Sequence, residues 1–220
     1  MQSNTSVIRS EASIFQTNKV IKNTYLLLSM TLVFSAFAAY ISVISGTSFG
    51  LAMGASIVAI VMLWFVLPRV ANSATGIPVI FAITGLLGFG LGPMLSYYLA
   101  VNPAIVMTAL GGTAAIFFVL SFYAITTKKD FSFMGGFLMV GLFVVIAAII
   151  LNLFLQLPIL FLVLNAAIIL IMSGLILYQT SAIVNGGETN YIMATAGLFL
   201  SILNLFQALL QILGAFSGND

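Results

Sequence analysis

Apolar residues in this chain come in long runs rather than in alternation. Seven such runs stand out, over residues 24–45, 50–67, 76–99, 104–126, 133–155, 159–180 and 191–213. A helix needs about 20 mostly apolar residues to cross a bilayer, so each run predicts one transmembrane helix. The breaks are short (46–49, 68–75, 100–103, 127–132, 156–158 and 181–190) and leave no room for a soluble domain between spans. A membrane β-barrel needs alternating apolar and polar residues, and the runs show none. The pattern predicts an all-α membrane protein, a single seven-transmembrane-helix bundle. Residues 1–23 form an N-terminal tail, 24–214 the bundle and 215–220 a short C-terminal tail.

The polar tail holds Arg9, Glu11, Lys19 and Lys22 ahead of the first run, which is too long for a cleavable signal core. It reads as a retained helix behind a cytosolic tail. Sidedness follows from the basic residues. With seven spans and the N-terminus inside, Arg9, Lys19 and Lys22 in the tail, Arg69 in the second loop and Lys128 and Lys129 in the fourth all fall on the inner side. The outer loops then contain no Lys or Arg, as positive-inside orientation requires. The C-terminus, with Asp220, is expected outside.

Composition agrees and removes several chemistries. The chain is 62% hydrophobic and 5% charged, against roughly 25% charged residues in an ordinary soluble domain. Six basic against four acidic residues are too few to suggest a nucleic-acid partner. With neither Cys nor His, thiolate chemistry, the usual transition-metal sites and a Ser–His dyad are all excluded. No Lys or Asp pair lies well inside a span, which excludes a retinal Schiff base and an aspartyl intramembrane protease. No cofactor or metal is expected, and the chain is not expected to be an enzyme.

Uncharged polar residues remain as candidates. On the last span Gly197, Ser201, Asn204, Ala208 and Gln211 recur at steps of four and three, with Gln207 adjoining. That spacing puts them on one helical face. The face reads either as a packing stripe of small and amide residues or as the lining of a polar cavity formed by Asn204, Gln207 and Gln211 together with Glu188. In the third span, "TGLLGFGLGPML" sets Gly85, Gly88 and Gly92 on one face for close helix approach. Pro93 beside Gly92 removes a backbone donor, predicting a kink that either shapes the bundle or acts as a hinge. Between the last two spans, "VNGGETNY" offers Gly186 and Gly187 as a helix stop. Thr189 or Asn190 can cap the next helix, and Glu188 lies beside its positive end.

"GLILYQTSAIVNGGETNYIMATAGLFLSILNLF" resembles the C-terminal signature of the Bax inhibitor (TMBIM) family through Gly174, Tyr178, Thr180, Gly186, Tyr191, Ile192, Asn204 and Phe206. "NKVIKNTYLLLS", "GLGPML", "TTKKDFSFMGG" and "LFLQLP" extend the similarity to the family's bacterial YccA-like branch, across all seven spans. The resemblance implies a seven-helix inner-membrane protein. It also implies a partner, the ATP-dependent membrane protease FtsH, whose degradation of other membrane proteins such proteins restrain while being slow substrates themselves. The wider family implies an alternative, a calcium or cation leak gated by two Asp residues on the last two helices that share a proton. In this chain those positions are Gln179 and Ser201. Neither titrates, so the resemblance carries no pH sensor across, although amide and hydroxyl can still bond between the helices.

Overall fold

The computed structural model describes residues 2–217, with side chains from residue 17 onward. Helix α1 is Gln2–Ile44 and α2 is Phe49–Val61, followed by a π-helical turn at Met62–Val66. Next come α3 (Leu67–Val70), α4 (Gly76–Gly90), α5 (Gly92–Val101), α6 (Pro103–Thr127), α7 (Met134–Leu155), α8 (Pro158–Val184) and α9 (Tyr191–Ser217). There is no strand among the described residues. Among the described residues, seven segments are long and apolar enough to cross a membrane: Thr17–Ile44, Phe49–Val70, Gly76–Val101, Pro103–Thr127, Met134–Leu155, Pro158–Val184 and Tyr191–Ser217. The expected spans are present in number and place. Residues 1 and 218–220, with the expected position of Asp220, lie outside the described residues, as do the side chains of 1–16.

Two spans are composite, each because of a proline. Pro68 has no N–H to give the Trp64 carbonyl, and its ring crowds that turn. The ladder widens instead, so that Leu67 N–H bonds the Met62 carbonyl one residue further back. The Arg69 guanidinium donates to the Phe65 carbonyl, satisfying a group beside the widened turn. The third span breaks at Leu91, with Pro93 in the first turn of α5. Leu91 N–H bonds the Gly88 carbonyl at 3.0 Å and Leu95 N–H bonds the Leu91 carbonyl at 2.9 Å. The two half-helices are thereby joined with few orphaned backbone groups.

Helix ends are closed by local chemistry. The Ser48 hydroxyl accepts from Leu51 N–H at 3.4 Å, and Asn102 Oδ1 from Ala104 N–H at 3.0 Å, ahead of Pro103. Helices α6 and α7 stop on the left-handed residues Lys128 (φ 52°) and Gln156 (φ 50°). Gly186 (φ 76°) turns the chain after α8, and Gly187 N–H bonds the Ala182 carbonyl at 2.8 Å.

The last helix is the hub. Over half of the α9 window is buried (56%), against 11% for α7, which packs chiefly on α8. Helix α9 touches α8, α6, α1 and α4 and supplies fully buried Leu198, Leu205 and Leu210. The glycine face of α4–α5 lies on α1, with Gly85 under the Phe34 ring, Gly88 against the Ser35 backbone and Gly92 against Ser42. Small residues let backbones approach where lipid gives no hydrophobic drive to associate.

A pair of substitutions separates packing from propensity. Gly88→Ala drives a methyl into the Ser35 carbonyl and is expected to cost about 1–3 kcal/mol. Gly111→Ala, whose methyl meets nothing within 4 Å, is expected to gain about 0.5–1 kcal/mol from helix entropy. Thermal midpoints in detergent should therefore move in opposite directions.

Candidate functional site

The polar side chains singled out in the sequence fall into three groups. The first forms at the end of the bundle that carries the basic residues. Asn190 caps α9, its Oδ1 accepting from Ile192 N–H at 2.9 Å and Met193 N–H at 3.1 Å. Its Nδ2 donates to the Ala71 carbonyl at 3.0 Å and to Asn72 Oδ1 at 2.7 Å, tying the start of α9 to the turn after α3. Glu188 Oε1 accepts from Asn190 N–H at 2.7 Å, where the positive end of α9 favours a negative charge. Between Thr189 and Asn190, then, the cap is Asn190. Glu188 also lines a polar cavity of about 700 Å³ with Lys19, Asn23, Asn185 and Tyr191 among its other walls.

The second group lies deeper, between helices. Ser201 Oγ on α9 donates to Gln179 Oε1 on α8 at 3.3 Å. The amide rests over Gly197, where a Cβ would meet Nε2 at 3.2 Å. One step along α8, Thr180 is fully buried. Its Oγ1 shares hydrogen bonds with Tyr25 OH of α1 at 3.1 Å and with Ser121 Oγ of α6 at 3.4 Å. Thr195 Oγ1 shares its one proton between Tyr191 O of its own helix (2.7 Å) and Thr24 O across on α1 (3.2 Å). These hydrogen bonds between α1, α6, α8 and α9 thus join uncharged groups. Thr24 Oγ1 is buried without a partner, as is Ser42 Oγ further along α1.

The third group is the α9 stripe beyond Ser201. Asn204 Nδ2 donates to the Leu200 carbonyl of its own helix at 2.8 Å. Gln207 and Gln211 are half-buried and stand one and two turns further from Glu188. Sixteen to twenty-three residues of chain separate Glu188 from Asn204–Gln211, so at about 1.5 Å per residue this acid is some 20 Å or more away. None of Asn204, Gln207 and Gln211 lines the apolar cavity between helices, whose α9 wall is Phe199, Ile202, Leu203 and Phe206. Gly92 and Pro93 sit at the break in the third span, with Gly92 against Ser42. Among the described residues no cluster of three or more carboxylates could hold a metal ion.

Sequence reasoning passed over two tethers. Ser181 Oγ donates to the Lys129 carbonyl at 2.9 Å and accepts from Phe131 N–H at 3.0 Å. Asn185 Nδ2 reaches the same carbonyl at 3.3 Å. The loop between α6 and α7 is therefore pinned to α8 just beyond the signature Tyr178-Gln179-Thr180. Spacing offers a partial signal, since Ser181 and Asn185 are four apart on one face, but their target lies some 50 residues away. Tyr25 and Ser121 likewise give no local sign of meeting Thr180.

These features define a class, a polytopic seven-helix membrane protein whose interior is wired by uncharged side chains. The model of the family described as "Inhibitor of apoptosis-promoting Bax1" matches residues 17–218, and the chain belongs to that family. It is 49% identical over 210 residues, 94% of each chain, to "Modulator of FtsH protease YccA" of Escherichia coli K12. It is also 49% identical over 207 residues, 93% of each, to an uncharacterized membrane protein of Vibrio cholerae. With an uncharacterized protein of Pseudomonas aeruginosa it shares 43% over 203 residues, 91% of each.

The Ser181 tether makes a local prediction. Ser181→Ala leaves the Phe131 N–H and Lys129 carbonyl without that partner, at a cost of about 1–3 kcal/mol. Trypsin should then cut at Lys128 and Lys129 faster than in the unmodified protein, while helix content and cleavage elsewhere stay the same. Equal rates at these two lysines would show that the loop does not depend on Ser181.

Proposed function

We propose that this chain is a non-enzymatic, multi-pass inner-membrane protein that binds the ATP-dependent protease FtsH and restrains it, while being itself a slow substrate. The observation that carries this reading is the 49% identity to a relative named as a modulator of FtsH protease, extending over 94% of both chains and hence over all seven spans. The physical arrangement supports it. A protease that unfolds substrates by pulling must extract helices whose hub, α9, is packed on four neighbours and cross-bonded to α1 and α8. The proposed orientation puts the N-terminus and the basic loops in the cytoplasm, where an ATP-driven machine can grip residues 1–13. Neither Cys nor His is present, and the inter-helix hydrogen bonds of the interior join uncharged groups, which favours a binding role over catalysis. FtsH-associated membrane proteins are further candidate partners.

Co-purification tests the partnership directly. The detergent-solubilised chain should retain FtsH on affinity resin, and its absence from the eluate would remove the reading. In cells containing the protease, deletion of residues 1–13 should lengthen the half-life of the protein with helix content unchanged. An unaltered half-life would count against these residues as the handle.

The family's calcium-leak activity gains no specific support, because Gln179 and Ser201 are neutral and already bonded to each other. Calcium entry into proteoliposomes should be small and should not change between about pH 6 and pH 8, where perturbed carboxylates titrate. Gln179→Asp with Ser201→Asp should introduce pH dependence if the helices still fit. Steep pH-dependent flux in the unmodified protein would overturn the modulator-only reading.

A further inference from the structure

Helices α1 and α6 both pack on α9, yet apart from Tyr25 and Phe117, whose ring centroids are 6.1 Å apart, they scarcely pack on each other. The gap between them is a cavity of about 420 Å³. Its floor is α9, including Leu203 and Phe206, and its two ends are marked by Tyr25 and by Leu95 of α5. Its lips are Ala36 on α1 and Ala114 on α6, both exposed. Beside them Phe37 and Phe118 project from the same helices and are exposed as well, so the cavity is continuous with the face that the bundle turns to lipid.

The occupant is set by chemistry and size. Ser29 and Thr113 line the wall, but each spends its proton within its own helix, on Tyr25 O at 2.8 Å and Ala109 O at 2.7 Å. Ser35 is turned against Gly88. A water molecule needs two to four polar partners, and these walls leave it short of them. Along α1 the cavity runs from Tyr25 to Ala39, about 21 Å at 1.5 Å per residue. Spread over that length, its volume leaves a cross-section of roughly 20 Å², or about 5 Å across if round, room for a single file of hydrocarbon carbons that meet the walls at ~4 Å. A transmembrane helix of a partner is about 10 Å across and does not fit. We propose that this cleft is a binding site for one acyl chain of a membrane phospholipid, inserted sideways between α1 and α6. The inserted chain packs on the Tyr25 ring and so braces the Tyr25–Thr180–Ser121 bridge from the lipid side.

The chain has a single tryptophan, Trp64, which lies on the lipid-facing surface at 71% exposure, while Phe206 on the cavity floor is 6% exposed. Bilayers of phosphatidylcholine brominated along its acyl chains quench tryptophan on contact. Unmodified protein reports surface lipid through Trp64, and the Trp64→Phe, Phe206→Trp variant reports the floor. The floor tryptophan is expected to lose as much emission in brominated bilayers as Trp64 does. Closing the mouth with Ala36→Phe, or from the opposite lip with Ala114→Phe, is expected to restore it. Should Phe206→Trp not fold, by helix content and elution profile, Leu203→Trp serves as the floor probe. A floor tryptophan equally bright in brominated and unbrominated lipid overturns the proposal. So does quenching that survives both closing substitutions.

Discussion

In hydrocarbon no water is present to satisfy a backbone N–H or C=O, so every one must find a partner within the protein. That constraint accounts for most of the irregular features of this bundle. Where Pro68 removes a donor, the ladder widens into a π turn and Arg69 reaches back to the Phe65 carbonyl. Where Pro93 does the same, the helix stops and restarts around Leu91. Where α9 begins, Asn190 takes two of its free N–H groups. Each interruption is repaired within a turn, which leaves the spans free to be apolar almost throughout.

The same constraint shapes the interior. A charge within the bilayer is expensive, and helices in lipid gain little from apolar contact alone. This chain joins its helices with hydroxyls and one amide: Thr180 to Tyr25 and Ser121, Thr195 to the α1 backbone, Ser201 to Gln179. Where a titrating pair would make such a junction depend on pH, an amide and a hydroxyl leave it constant. The arrangement suits a bundle that is to remain packed under load better than one that is to open.

Three connections at the basic end converge on the hairpin between α8 and α9. Asn190 holds the turn after α3, while Ser181 and Asn185 hold the loop after α6. That end is therefore one joined surface rather than a set of separate loops. The cavity lined by Glu188 and Lys19 lies beside it. On the lipid side, the cleft between α1 and α6 reaches the same inter-helix junction through Tyr25.

Much of this was legible in the chain because hydrocarbon imposes a simple rule on composition. Long apolar runs between short breaks determined the seven spans, Gly85, Gly88 and Gly92 marked a close contact, and Pro93 marked a break. The family resemblance, which pairs these positions on the last two helices, allowed the Gln179–Ser201 bond to be anticipated. What spacing could not express was partnership across the chain. It did not reveal that α9 rather than a middle helix is the hub, that the partner of the glycine face is α1, or that Tyr25 and Ser121 meet at Thr180. Nor did it reveal that Ser181 holds a loop some 50 residues away, or that α1 and α6 stand apart over a cleft. Periodicity assigns a residue to a face of its own helix, whereas only the packed arrangement of helices decides what that face meets.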